Sequence, residues 1–346
     1  YESVPPRYYG GTERVVAYLT EELLRQGHEV TLFASGDSTT SARLVSPCPE
    51  SLRSSPSCAD PLAHHILLLE LVAREAKTFD IIHYHIDYLH FPLSRRQAVC
   101  QLTTLHGRLD LPELLPLYRE FAEMPLVSAS MAHRASLPWA NWQGTIHHGL
   151  PADLYPLHER RGDYLAFLGR ISPEKRVDRA IAIAQQVGLP IKIGAKVDNV
   201  DREYFKEAIK PLFALPGVEY LGEISEVDKG DFLGQAYALM FPIDWQEPFG
   251  LVMIEAMACG TPVIGFRGGS VAEVLDDGVT GFCVDSVSEA VRALEALQRL
   301  DRRQVRATFE RRFTAARMAR EYAAIYQRLH DRVQGYVPSE KPRLTA

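Results

Sequence analysis

The chain has 346 residues, long for one domain and comfortable for two, with 46% hydrophobic and 24% charged residues, the balance of an ordinary globular protein. A formal net charge of −6 gives no support for nucleic-acid binding, and no apolar run approaches the roughly eighteen residues of a membrane span. Five scattered cysteines (Cys48, Cys58, Cys100, Cys259 and Cys283) form no CxxC pair, which argues against a disulfide framework or a zinc site. With no signal peptide expected, they point to a reducing, cytoplasmic setting.

In chain order, residues 1–11 (YESVPPRYYGG) read as a loop entering a helix. Each later helix in the first half follows a strand-like segment, so a strand ahead of this loop is expected and is not contained in these residues. Residues 12–26 carry apolar positions at helical spacing (Val15, Val16, Leu19, Leu23, Leu24) and stop at Gly27, suited to the left-handed turn after a helix. Residues 30–34 read as a strand, and 36–61, rich in Ser, Pro, Thr and Asp, as a long exposed loop. A helix over 61–77 and strands over 80–85 and 98–105 follow, the last ending at His106-Gly107. A helix over 113–122, a strand over 126–130, a short helix and a strand over 144–148 complete a β/α alternation, the pattern of a parallel sheet with helices on both faces.

Residues 149–162, with Pro151 and Pro156, are the linker, after which the pattern restarts. Strand 164–168 leads through Gly169-Arg170 to a helix over 174–187. Strand 191–194, helix 202–212 and strand 218–221 come next. Ser225, with Asp228 three residues on, reads as the cap of a helix ending near Ala236. Strands 238–242, 262–265 and 281–284 and the terminal helices finish the second half. The arginines near the end (Arg302, Arg303, Arg306, Arg311, Arg312, Arg317, Arg320) alternate with acids and apolar residues and read as a solvated amphipathic face rather than a membrane-surface patch. Beyond Tyr336 the chain is expected to fray. Two such halves bind ligands at the carboxyl ends of their strands.

The chemistry concentrates in residues 245–268, WQEPFGLVMIEAMACGTPVIGFRG. Seven residues separate Glu247 from Glu255, and along one helix that step is about 12 Å of rise. Pro248 pushes Glu247 out of helical geometry and Gly250 permits a tight turn, so a loop carrying Glu247 is expected over a helix start, with Glu255 one turn inside. The free N–H groups at that start, Phe249, Gly250, Leu251 and Val252, suit a phosphate. A favourable dipole partner is the plain alternative for Glu247. Glu255, among apolar neighbours, needs a polar partner: a ligand hydroxyl pair or a nearby arginine.

Four other places fall at strand ends or helix starts. Gly10, Gly11 and Thr12 allow close backbone approach, though not as a GxGxxG pattern. Arg170 and Lys175 can clamp a diphosphate from two sides, or merely pair with Glu174 and Asp178. His106 is either structural or reactive. His83, His85 and Asp87 imitate a metal site, but no further ligand lies at a recognisable spacing, so no metal is expected. Gly268-Gly269 reads as turn and cap chemistry.

Taken together, Gly-Gly-Thr-Glu before the first helix, His106, GRISPEK at 169–175, and EPFGLVMIE with ACGTPVIG over 247–265 resemble the retaining glycosyltransferases of family 4, over nearly the whole chain and most strongly from about 164 to 283. The resemblance implies an α/β fold of GT-B architecture, two Rossmann-like doubly wound parallel-sheet domains facing across a cleft. Its expected division is an acceptor domain over 1–150, a nucleotide-sugar donor domain over 151–318, and a helix from 319 returning to the first domain. Carried onto this sequence, it implies that Arg170 and Lys175 hold the donor diphosphate, Glu255 the ribose hydroxyls and Glu247 the transferred sugar. The backbone at Phe249, Gly250, Leu251 and Val252 would contact sugar and phosphate, Gly11 the phosphate, His106 the sugar and acceptor, and Leu221, Ile224 and Ser225 the base.

The implied partners are a nucleotide-sugar donor, a UDP-sugar before GDP-mannose, and a hydroxyl acceptor, with no separate cofactor. The acceptor-side loops, 36–61 and 107–116, carry no assignable motif. A front-face route is expected, since no carboxylate is placed as an enzymic nucleophile. A sugar-nucleotide epimerase of the same architecture and an inactive nucleotide-sugar-binding module are the rival readings.

Overall fold

The computed structural model describes residues 1–8, 10–53, 55 and 58–334; the segment from Tyr336 lies outside them. Its strands in chain order are β1 (Thr31–Phe33), β2 (Arg43–Val45), β3 (Ile82–Tyr84), β4 (Gln101–Thr104), β5 (Leu126–Ser128), β6 (Trp142–Thr145), β7 (Leu165–Arg170), β8 (Ile191–Lys196), β9 (Val218–Gly222), β10 (Ala238–Phe241), β11 (Val263–Phe266) and β12 (Gly281–Val284). The second half forms one six-stranded sheet in the order β12-β11-β10-β7-β8-β9, every neighbouring pair parallel.

Side chains alternate across this sheet. Ala166, Leu239 and Phe241 pack on one face against Met253, Met257 and Phe309, while Leu165, Phe167, Ala238 and Met240 pack on the other against Ile181, Ala184 and Leu294. Both faces are covered by helices, so the strands read as unbroken apolar runs rather than alternating ones.

The first half departs from the single sheet expected of it. β3-β4-β5-β6 form a four-stranded parallel sheet, but among the described residues β1 pairs only with β2, a strand inside the segment read as a plain loop. A cavity of about 1190 Å³ separates β1 from β3, walled by Thr31, Leu32 and Phe33 on one side and Ile82, His83 and Tyr84 on the other, with Leu19, Leu23, Leu69 and Val72 also lining it. The first helix, Gly11–Arg25, ends in the two hydrogen bonds of a Schellman turn, Gly27 N–H to the Leu24 carbonyl (3.0 Å) and His28 N–H to the Leu23 carbonyl (3.1 Å), with Gly27 at φ 90°.

The last described helix returns to the first lobe. Leu150 and the 313–315 segment are joined by two backbone hydrogen bonds, 2.9 and 2.7 Å, and a methyl on Gly149 would stand 2.4 Å from the Thr314 carbonyl oxygen, so only glycine fits the crossing. The helix Ala315–Gln334 then lays Met318, Tyr322, Ile325 and Leu329 against Val15, Leu19 and Leu23 of the first helix and Leu102 and Val127 of the sheet.

Three local expectations are corrected. The helix read over 174–187 is a 3-10 turn, Pro173–Lys175, and an α-helix, Val177–Val187, joined through Arg176 at φ 53°. The helix over 202–212 breaks into α, π and 3-10 pieces, the last (Lys210–Ala214) holding Pro211, whose ring lacks an N–H and crowds the preceding turn. The terminal arginines are not all on a solvated face: Arg302 is buried and donates to the carbonyls of His158 (2.6 Å), Gly234 (2.7 Å) and Ala236 (2.9 Å). Arg306 and Arg317 reach the carbonyls of Tyr155 (2.8 Å) and His148 (3.2 Å), fastening the linker.

Candidate functional site

The lobes meet over a cleft of about 440 Å³ whose walls carry Gly10, Gly11, Thr12 and His106 from the first half and Arg170, Lys175, Ile224, Glu247, Phe249, Gly250, Leu251, Val252 and Glu255 from the second. The lobes are close enough that a methyl on Gly11 would lie 3.5 Å from Leu251 Cδ1. Of the residues assigned to the base, Leu221 and Ser225 are not part of the cleft wall: Leu221 is exposed on β9, beside the β8–β9 register slip at Ile193/Gly194, and Ser225 caps the helix Glu226–Gly234. Ile224 does line the cleft, and the bare Gly194 admits it, since a Cβ there would sit 2.3 Å from Ile224 Cδ1.

The 247–250 loop is held by its carbonyls. Glu247 O accepts from Ser270 N–H (3.0 Å), Phe249 O from Ser270 Oγ (2.7 Å), Pro248 O from Ser130 Oγ of the other lobe (2.7 Å), and Gly250 O from Met253 N–H (3.0 Å). Gly250, at φ 77°, turns the chain into the Leu251–Ala258 helix. Among the described residues the N–H groups of Phe249, Gly250, Leu251 and Val252 receive no protein acceptor, as a helix start requires. Four donors at a helix start form a receptor for anionic oxygen. The pair Gly268-Gly269, read as a turn, is the cradle of this loop: Gly269 (φ 57°) lies so close that a Cβ would stand 2.1 Å from the Glu247 carbonyl oxygen.

The cations are placed by strand and turn. Arg170 is the last residue of β7; it pairs with Glu174 and lies 3.5 Å from Asp198 and 3.7 Å from Asp201. The pairing with Glu174 and the cleft position therefore coexist, while Asp178 is taken by Arg176. Lys175 ends the 3-10 turn and forms an ion pair with Glu247, its ammonium 4.8 Å from the centre of the Trp245 ring. Trp245 Nε1 donates to the same Glu247 oxygen at 3.0 Å. Glu247 is thus only 8% exposed and engaged by side chains, not simply a dipole partner of the helix.

Glu255 is 4% exposed, and the polar partner its surroundings demand is Lys229, whose Nζ lies 2.8 Å from Oε1. The sequence alone suggests a ligand hydroxyl pair or an arginine as that partner and gives no sign of Lys229. Burial pulls the Lys229 ammonium below its usual pKa, and Glu255 acts against that pull. Lys229 also reaches Glu226 at 3.2 Å, and Glu226 receives Tyr155 Oη and, from the first helix, Arg14, itself only 5% exposed.

On the opposite wall His106 Nε2 and His85 Nδ1 share a hydrogen bond of 2.9 Å, and the His106 ring stacks on His148 at 5.2 Å. Desolvation, with neighbouring rings adding to it, depresses all three imidazoles well below 6.5, so His106 acts as a neutral hydrogen-bonding group, not a cation. His83 turns away, to Tyr326 Oη (2.7 Å) and Thr104 Oγ1 (2.8 Å), and among the described residues no group of three or more His, Cys, Asp or Glu is arranged to hold a metal. No helix among them is long and apolar enough to cross a membrane.

Comparison with known proteins agrees with this architecture. The family model described as Glycosyltransferase Family 4 matches residues 9–188, and that described as Glycosyl transferases group 1 matches 157–312. A phosphatidyl-myo-inositol mannosyltransferase of Propionibacterium freudenreichii is 25% identical over 321 residues, 82% of each chain. AviGT4, a glycosyltransferase involved in avilamycin A biosynthesis, superposes with a TM-score of 0.73 at 25% identity, covering 95% of this chain and 93% of its own. Anabaena HepE, solved with UDP and glucose, shares the fold at a TM-score of 0.69 and 18% identity, over 92% of this chain and 96% of its own. The fold is therefore GT-B, two Rossmann-like lobes facing across a cleft.

Proposed function

The chain belongs to glycosyltransferase family 4, and from that membership we propose that its cleft transfers a sugar from a nucleotide-sugar donor to a hydroxyl acceptor with retention of anomeric configuration. The observation that carries the reading is the convergence on one cleft of two cations from the second lobe, Arg170 and Lys175, with two carboxylates and an open helix start. Arg170 and Lys175 take the donor diphosphate, exchanging their carboxylate partners for phosphate oxygens. The free N–H groups of residues 249–252 take sugar hydroxyls and phosphate, Glu247 a hydroxyl of the transferred sugar, and Glu255 the ribose diol.

In the transfer step the bond from the anomeric carbon to the phosphate oxygen breaks as the acceptor oxygen bonds to the same face of that carbon. The acceptor's proton passes to the departing phosphate oxygen, giving the glycoside and a nucleoside diphosphate. The two cations offset charge growing on the leaving group, and the neutral His106 orients the acceptor side. Because they supply that stabilisation themselves, turnover is expected to persist in EDTA.

A UDP-sugar is favoured over GDP-mannose; the similarity to a mannosyltransferase keeps both in the test. A thermal-shift screen with UDP-, GDP- and ADP-sugars identifies the donor, since a ligand of the folded state raises apparent stability. NMR of the product formed on a panel of acceptors then reads the anomer. An inverted product, or an epimerised donor in the absence of acceptor, contradicts the proposal.

A further inference from the structure

The floor of the cleft holds a charge network that joins the two lobes. Arg14, on the first helix, donates to the Tyr8 carbonyl at 2.5 Å and forms an ion pair with Glu226 of the second lobe. Glu226 shares an oxygen with Lys229 Nζ at 3.2 Å, and Lys229 holds Glu255 Oε1 at 2.8 Å. Arg14, Lys229 and Glu255 are all nearly inaccessible (5%, 6% and 4% exposed), and the four side chains sum to zero charge. Among the described residues Glu255 Oε2 has no hydrogen-bond partner and is not one of the buried unpartnered atoms, and Glu255 lines the cleft.

We propose that Arg14 is a positioning residue for donor recognition: by neutralising Glu226 across the cleft it leaves Lys229 to hold Glu255 by one oxygen, with the other presented to the ribose. The inference rests on the proposed reading of Glu255 as the ribose ligand. The physical reason is competition for one ammonium. Lys229 lies between two carboxylates, and among the described residues Glu226 has a second cation, Arg14, while Glu255 has none. Without Arg14, Glu226 draws Lys229 away and the network carries an uncompensated negative charge in a poorly solvated place. Because Arg14 comes from the first lobe and the other three from the second, the ribose site is complete only when the lobes are apposed as here.

The test compares, by calorimetry, binding of the tightest-binding of UDP, GDP and ADP with that of its 2′,3′-dideoxy counterpart. For the unaltered protein, loss of the diol should weaken binding about tenfold or more, the size of hydrogen bonds to a charged group. In Arg14→Gln that penalty should shrink to less than about threefold, and in Arg14→Gln/Glu226→Gln, where the charge balance is restored, it should return. Glu226→Gln alone, which leaves Lys229 to Glu255, should keep the full penalty and supplies the test if Arg14→Gln does not fold. If Arg14→Gln weakens both nucleotides equally with the diol penalty intact, or Glu226→Gln abolishes the penalty, the positioning role is wrong and the ribose reading survives. A protein that binds no nucleoside diphosphate, or binds both forms equally before any substitution, overturns the ribose reading and the inference with it.

Discussion

Lys175 and Glu247, 72 residues apart in the chain, meet as an ion pair on the wall of the cleft, with the Trp245 indole donating to the same carboxylate. The cation proposed for the diphosphate and the anion proposed for the sugar thus neutralise each other. A donor would separate their tasks, giving Lys175 phosphate oxygens and Glu247 a hydroxyl.

Lys175→Ala removes a preorganised charge from the leaving group. The expected result is a fall in kcat of two or more orders of magnitude in steady-state assays, the scale of a lost transition-state contact. A loss confined to KM would instead mean that Lys175 binds donor and transition state equally.

Glu247→Gln frees Lys175 and removes a negative charge beside the proposed diphosphate site. Binding of the free nucleoside diphosphate should therefore tighten by several-fold in calorimetry, while sugar transfer falls. Weaker diphosphate binding would show that Glu247 organises Lys175 rather than competing for it.

Gly269→Ala forces a methyl into the Glu247 backbone at a residue with φ 57°. The strain, roughly 1–3 kcal/mol, is relieved by shifting the 247–250 loop, so donor KM should rise about tenfold or more while the cooperative melt is retained. An unchanged KM would show that this loop does not carry the donor.

Acid should destabilise the protein. Burial depresses the imidazoles of His83 and His90 to about 3 and lowers those of His85, His106, His133 and His148. Between those values and the unfolded pKa near 6.5 the unfolded state binds more protons, so stability rises with pH through that window and levels off above it. Each such group contributes up to about 1.4 kcal/mol per pH unit there. Urea midpoints should fall from pH 7 to pH 5 with a slope of more than one proton; a flat profile would mean that the rings are solvated.

Much of the site could be read from sequence because its parts sit at chain punctuation. Gly10-Gly11 before a helix, Arg170 at a strand end, and Pro248 with Gly250 before an apolar helix each mark a local backbone event that residue type reports. What escaped depends on distant packing. Lys229 lies in EVDKGDFLG, which looks like a surface helix until the Leu251–Ala258 helix covers it. Arg14 is one charge among several on the first helix, and nothing local says that Glu226 will meet it. Leu221 stands exposed on β9 beside a slip in strand register, which cannot be seen in a short apolar run.

The proposed transfer depends on Arg170 and Lys175 gripping a donor pyrophosphate. A crystal structure with the best-binding nucleotide sugar should show both side chains within about 3 Å of diphosphate oxygens, with Lys175 released from Glu247. Finding the nucleotide bound elsewhere, with Lys175 still on Glu247 and Arg170 still on Glu174, would contradict it.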